Sequence, residues 1–338
     1  MAPAIVWIAL FTLLTLGMLW GFAALWFRLA LPSPWRQFTL GLWGLLTLGL
    51  VVLGLEVSVT AGRDWSAPIG QMLLLVVLMT WWFRLRPSHD RPWADDVVHM
   101  ATGEVEGNRL TLHHVRNFDW RTRDEAKVCW ERRHYDLDRL DSVDMIVSSW
   151  GRPGIAHVMV SFGFGGDEFV VFSVEVRRQR GERFSEIGGF FRQYELAIVA
   201  SDERDAVRLR SNVRGEQVRL FRITMPRHAM RSLILAYVDE ANRLRESPRF
   251  YNTIFANCST LVFAMARRIG AGLPLDYRML VTDRLPDYAF AMGGLWRGHS
   301  LNELVDRGNI VERAHQAHDD PAFSRRIRHA VPGWEALS

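Results

Sequence analysis

Cysteine is scarce in this chain: 2 in 338 residues, which excludes a scaffold stapled by disulfides. Lysine is nearly absent, since 40 of the 41 basic residues are arginine. No G-x-x-x-x-G-K or G-x-S-x-G motif occurs, nor any paired Cys/His spacing, basic stripe with interleaved aromatics or internal repeat. These absences remove the P-loop, nucleophile-elbow, zinc-finger, nucleic-acid-binding and solenoid readings. No metal and no cofactor are expected. The most informative gap is in charge. No charged side chain occurs over Met1–Phe27, Gln37–Leu55 or Trp65–Phe83, whereas charge is dense after Arg84. That pattern excludes an all-soluble chain. It also excludes a large polytopic transporter, because only about a quarter of the residues can sit in lipid.

A bilayer core about 30 Å thick needs about 20 apolar helical residues. Spans are therefore expected near Ala4–Phe27, Phe38–Ala61 and Ala67–Phe83. The third ends in Trp81, Trp82 and Phe83 followed by Arg84 and Arg86, an interfacial anchor. The first run lacks a basic leader segment and no A-x-A site follows it, so a cleaved signal peptide is the weaker reading. Arg28 and Arg36 flank one connection, Arg63 the other, and Arg84, Arg86 and Arg91 follow the last span. Counted alone, these arginines point to a cytoplasmic placement of the large domain.

The remaining residues, roughly 250, allow one sizeable domain. It is divided into a linker at 87–94, a domain at 95–318 and a peripheral basic tail at 319–338. Asp95–Asn117 is expected to form short strands with a turn at Glu106–Asn108, and Trp120–Asp138 to be irregular. Val143–Trp150 reads as a buried strand. Ile155–Phe162 and Phe169–Val176 are β-branched runs around a Gly-rich turn, hence a β-hairpin. With its centre at Gly166, His157 stands opposite Glu175, and a slip of one residue would separate their faces. Phe184–Tyr194 is expected to be a loop or short helix, Leu196–Ser201 and Val207–Arg210 strands, and Val218–Ile223 a half-exposed strand. Arg227–Glu246 carries Met230, Leu233, Ile234, Tyr237, Val238 and Leu244 at helical spacing after Pro226. A further helix starts at Asn257-Cys258-Ser259-Thr260 and ends at Gly270, a C-cap.

Cys258 is the best nucleophile candidate, because a thiol in a first helical turn meets unpaired backbone N–H groups that favour thiolate and an oxyanion. A buried cysteine that only packs is the plain alternative. His157 is the candidate base, since a mid-strand histidine among apolar neighbours needs partners. Glu175 is placed to orient it. Asn257, Ser259, Tyr251 and Asn252 surround the nucleophile in sequence and are candidate hydrogen-bond donors to substrate. Cys129, the adjacent His113 and His114, and the Asp202-Glu203-Asp205 cluster read better as structure than as chemistry.

The segments IAHVMVSFGF, FSVEVRRQRGERFSEIGGFFRQYELAIVASDERD and RFYNTIFANCSTLVFAMARR resemble the family of the N-terminal periplasmic domain of Lnb, over about Trp93–Arg326. The resemblance implies an α+β, permuted papain-like (NlpC-like) cysteine-enzyme domain, here preceded by three transmembrane helices. It implies acyl transfer through a thioester on Cys258, with His157 shuttling the proton and Glu175 orienting it. It also implies a membrane lipid or lipoprotein substrate and a periplasmic domain on the bacterial inner membrane. Its several motifs outweigh the arginine count. A cysteine amidase or peptidase acting on envelope amides, and a non-catalytic binding module, use the same residues and stay open.

Overall fold

The computed structural model describes residues 2–60, 65–269 and 273–334. Arg63 and the expected C-cap Gly270 lie outside them, as do residues 335–338. The chain divides into two compact units, 1–87 with 185–193, and 88–184 with 194–338.

The first unit holds α1 (Ala2–Arg28), α2 (Ser33–Thr60) and α3 (Ser66–Arg84), three helices long and apolar enough to cross a membrane. Their outward faces carry bare apolar side chains such as Ile5, Leu16, Leu45 and Val77. Inside, Met18, Leu25, Leu40, Trp43 and Leu78 pack together, and Trp43 Nε1 donates to the Met18 carbonyl at 2.9 Å. Gly21 sits where a Cβ would strike Trp43 and Leu78, so its bareness lets the helices approach. Buried Gln71 donates to Thr15 Oγ1 at 3.0 Å, which offsets the cost of an amide in an apolar interior. The segment 185–193 belongs to this unit: Phe191 stacks on Phe27, and the Arg192 guanidinium lies 4.6 Å from the centre of the Trp82 ring.

The second unit is mixed α+β, built on an eight-stranded sheet. Its strands are β1 (Thr102–Glu106), β2 (Arg109–Arg116), β5 (Trp130–Asp136), β6 (Ser142–Ser149), β7 (His157–Gly163), β8 (Phe169–Arg177), β9 (Glu195–Ser201) and β10 (Gln217–Arg222). A short hairpin of β3 (Asp119–Trp120) and β4 (Ala126–Lys127) stands apart. The order is β1-β2-β9-β8-β7-β6-β10, with β5 added to β2; β2–β9 is the parallel pair. On one face lie α5 (Arg227–Glu246) and α6 (Cys258–Ile269), packed on Val160, Phe162, Phe172, Val174 and Ile198. The apolar stripe expected of α5, Met230 to Leu244, is the buried one. On the other face Met159, Val171 and Leu220 meet α4 (Glu203–Arg208), α9 (Val311–Gln316) and α10 (Phe323–Arg328). The helices α7 (Leu285–Ala291) and α8 (Leu301–Gly308) close a third cluster with Met145, Val158 and Phe221.

Four expectations are corrected. Trp130–Asp136 is a strand, not irregular chain: its charged alternation suits an edge beside β2 with one side in water. Val207–Arg210 is helical, because Asp202 caps Arg204 N at 2.9 Å and starts α4. The expected linker is tied down, with Trp93 buried and Arg177 over its ring at 4.5 Å. Much of the expected peripheral tail packs inward: Phe323, Ile327, Val331 and Trp334 are buried, and Arg328 is 1% exposed. Arg328 binds Glu203 through both terminal nitrogens at 2.6 and 2.7 Å and Asp144 through Nε at 2.9 Å. Burial of a guanidinium is tolerated when its donors are matched in this way. The acidic cluster thus has structural partners, Glu203 with Arg328 and Asp205 with Arg116.

Candidate active site

The turn between β7 and β8 puts Gly165 and Gly166 at φ +84° and +65°, a region that favours glycine. The register that follows runs from Gly163↔Phe169 to Met159↔Ser173. Carried two residues further it sets His157 against Glu175, and the side chains meet: Nε2 lies 3.1 Å from Oε1. Ser173 shares that face. Its Oγ is 2.7 Å from His157 Nε2 and donates to Glu175 Oε1 at 2.6 Å.

Cys258 opens α6. Asn257 caps the helix, its Oδ1 accepting from the backbone N–H groups of Ser259 and Thr260, each at 2.9 Å. The same oxygen accepts the Ser259 and Thr260 hydroxyls, and Asn257 Nδ2 donates to the Thr253 carbonyl at 2.6 Å. Cys258 is 7% exposed and packs into the main core. His157 and the Val158 backbone N–H are the groups that draw its thiol down. Since Nε2 of His157 is engaged by Ser173 and Glu175, the nitrogen left for the thiol is Nδ1.

The electrostatics follow from these contacts. Burial opposes the imidazolium and Arg210 adds to that, but Glu175 and the Cys258 hydrogen bond outweigh both and raise His157 above its ordinary value. Burial likewise opposes the charged form of Glu175, yet His157 and Arg210 hold the carboxyl well below the usual range. Cys258 is pushed up by burial and drawn down further by the His157 hydrogen bond and charge, so its thiol is lowered overall. The three shifts favour a thiolate–imidazolium pair backed by a carboxylate.

The remaining candidates have other placements. Asn257 is a cap whose side-chain oxygen and nitrogen are both engaged within the loop. Ser259 is fully buried beneath it. Asn252 Oδ1 accepts from Ile254 N and Phe255 N at 3.0 Å each and shapes the loop before the cap. Tyr251 is half-buried near the thiol, and burial raises its phenol. Cys129 lies in the connection just before β5, with its Sγ 3.7 Å from Glu131 Oε1; burial, then Glu131, push its thiol up. Ser173 and Arg210 were not singled out from the sequence. The period of two in FSVEV, which sets Ser173 on the face of Glu175, was the available signal for the first.

A groove of about 820 Å³ runs along the outer face of α6. Phe255, Phe263, Ala264, Leu275, Met279 and Leu280 line it, with Thr260 and Arg267. Phe255 and Leu275 are 82% and 73% exposed, an apolar display unusual for a surface that faces only water. Cys258 is not among the lining residues, although Phe255 and Thr260 on either side of it are.

Residues 126–283 match the family model described as the Lnb N-terminal periplasmic domain. That segment is similar to this family. The Lnb-domain match is narrower than the Trp93–Arg326 resemblance, but it contains His157, Ser173, Glu175, Arg210 and Cys258. No curated protein and no solved structure matches the chain. The match to a periplasmic-domain family and the three apolar helices fit a membrane-associated protein.

Proposed function

We propose that the protein is a membrane-anchored, cysteine-dependent acyl-transfer enzyme with Cys258 as nucleophile, His157 as acid–base and Glu175 as the group that orients it. The domain is read as a permuted papain-like thiol fold, with the base on an early strand and the nucleophile on a later helix. Its place is the bacterial inner membrane with the domain in the periplasm, and its substrate is a lipid or lipoprotein ester. The His157–Glu175 pair, 3.1 Å apart, together with the lowering of the Cys258 thiol by His157, carries this reading.

The thiolate attacks the ester carbonyl carbon and forms a C–S bond. The resulting oxyanion faces the start of α6. Asn257 occupies the amides of Ser259 and Thr260, so the first-turn donor left for the oxyanion is the backbone N–H of Cys258 itself. Collapse breaks the ester C–O bond, and Nδ1 of the imidazolium protonates the leaving alkoxide. An amine then attacks the thioester while Nδ1 takes its proton. The C–N bond forms, the C–S bond breaks, and the thiolate–imidazolium pair returns. The apolar groove beside α6 supports an acyl chain as the group transferred.

The test is incubation with acyl-labelled phospholipid or diacylated lipoprotein. Label should accumulate on Cys258, be released by hydroxylamine, and be absent from Cys258→Ala. A reduced wild-type protein that takes no label would refute acyl transfer. Turnover of peptidoglycan fragments without lipid turnover would assign the same residues to an amidase.

A further inference from the structure

Behind His157 the structure holds a buried polar series that a nucleophile–base pair does not by itself require. The Ser173 hydroxyl has one proton, and it is given to Glu175 Oε1 at 2.6 Å. Toward His157 Nε2, 2.7 Å away, the same oxygen can therefore only accept. A proton on Nε2 suits both this oxygen and Glu175 Oε1, 3.1 Å away, and leaves the Nδ1 lone pair of the neutral ring for the thiol.

Beyond Glu175 stands Arg210, with Nη2 3.5 Å from Glu175 Oε1 and Nη1 3.1 Å from Glu216 Oε2. Its side chain is 9% exposed. Glu216 in turn accepts from Ser148 Oγ at 2.5 Å, and Arg214 lies 3.8 Å from it. Ser148 pairs in register with His157 across β6 and β7, so the series closes around the imidazole. Arg210 is delivered by a widened helical turn, Leu209–Val213, whose Arg214 N–H reaches back to the Leu209 carbonyl at 2.8 Å. Such five-residue turns recur at functional sites, because they turn a side chain out of the regular helical register.

We propose that Ser173 and Arg210 are positioning residues for His157: Ser173 keeps the imidazole proton on Nε2, and Arg210 limits how strongly Glu175 holds the ring in its charged form. The two residues solve different problems. A base whose proton sits on the wrong nitrogen cannot take one from the thiol. A base held too firmly as imidazolium cannot release one to a leaving group. The charged and titratable groups facing the ring are Cys258 from α6, Glu175 from β8 and Arg210 from the turn after α4. Arg210 opposes Glu175 in this set.

The inference rests on the catalytic reading of Cys258 and His157, so its test avoids acyl turnover. Full-length protein in detergent, carrying Cys129→Ser and ring-¹⁵N histidine, is titrated by NMR, with His157→Gln assigning the signal. Alkylation of Cys258 by iodoacetamide is followed over the same pH range. The wild type should show the Nε2–H tautomer when neutral. Ser173→Ala should show a mixture of tautomers and alkylate several-fold more slowly near neutral pH, and Ser173→Thr should restore both. Arg210→Met should move the His157 titration up by about one pH unit, a tenfold gain in proton affinity. Arg210→Lys should hold it near wild type. Arg210→Met/Glu216→Gln covers the case in which the single variant does not fold. An Nδ1–H wild type, an unmixed Nε2–H tautomer in Ser173→Ala, or an unmoved titration in folded Arg210 variants would overturn the inference while leaving a reactive thiolate in place. If wild-type Cys258 instead alkylates as an ordinary thiol with pKa about 8.5, the catalytic reading itself fails and the inference with it.

Discussion

Replacing Arg328 by alanine should be among the most damaging single changes in the soluble unit. The guanidinium is 1% exposed and makes charge-assisted bonds to Glu203 at 2.6 and 2.7 Å and to Asp144 at 2.9 Å. It also donates to the Ser324 carbonyl at 2.7 Å and stacks 3.7 Å from the centre of the Phe169 ring. Alanine leaves two buried carboxylates without their cation. Removing one partner of a buried pair costs about 3–5 kcal/mol. For a unit of this size that corresponds to a melting temperature lower by roughly 6–20 °C. Urea unfolding of the detergent-solubilised protein, followed by tryptophan fluorescence, measures it. The triple variant Arg328→Met/Asp144→Asn/Glu203→Gln removes the charges together and should recover much of the loss, because the penalty belongs to the unpaired carboxylates rather than to the missing cation. A loss under about 1 kcal/mol for Arg328→Ala would show that the segment after Asp319 does not seal the sheet, and the reasoning would be wrong.

Other outcomes follow from the same geometry. Cys258 is lowered and His157 raised, so the ion pair forms as pH rises through the thiol's value and lasts until pH passes that of the imidazolium. Turnover should therefore be bell-shaped, and His157→Gln should return Cys258 alkylation to the range of a free thiol; alkylation fully reactive in that variant would exclude the pairing. Glu175 is held well below the usual carboxylate range, so its contribution to stability is present above about pH 4.3 and is lost on acidification through its folded value. Glu175→Gln should flatten that part of the stability–pH curve. Asn257→Ala removes the acceptor for two first-turn amides and should cost about 0.5–2 kcal/mol, visible in chemical denaturation; an unchanged midpoint would count against the cap. Ala264→Trp fills the apolar groove and should slow turnover of long-chain acyl donors more than of short-chain esters; equal slowing would separate the groove from substrate binding.

The chain's local signals reached far into the site. The His157–Glu175 pairing was legible because a hairpin with a glycine turn fixes its register, and register fixes the face. Cys258 at a helix start was legible because Asn257 is a strong cap. The α5 stripe and the three apolar helices follow from periodicity and from runs without charge. Three things were not legible. Trp130–Asp136 looks irregular because its strand character comes from β2, not from its own residues. Val207–Arg210 looks like strand, until Asp202 is seen to start a helix before it. Arg325, Arg326 and Arg328 look like a solvated basic run, and nothing nearby distinguishes the one that is buried.

The sequence alone determined the elements whose cause is local: an apolar run, a cap, a turn and an alternation act within a few residues of themselves. Tertiary structure alone decided which charges are interior. Arg328 stands 125 residues from Glu203 and 184 from Asp144, and Arg210 stands 35 from Glu175. A guanidinium is free to leave water only where matched carboxylates already wait. That condition is set by the packing of the whole sheet and not by any neighbour along the chain.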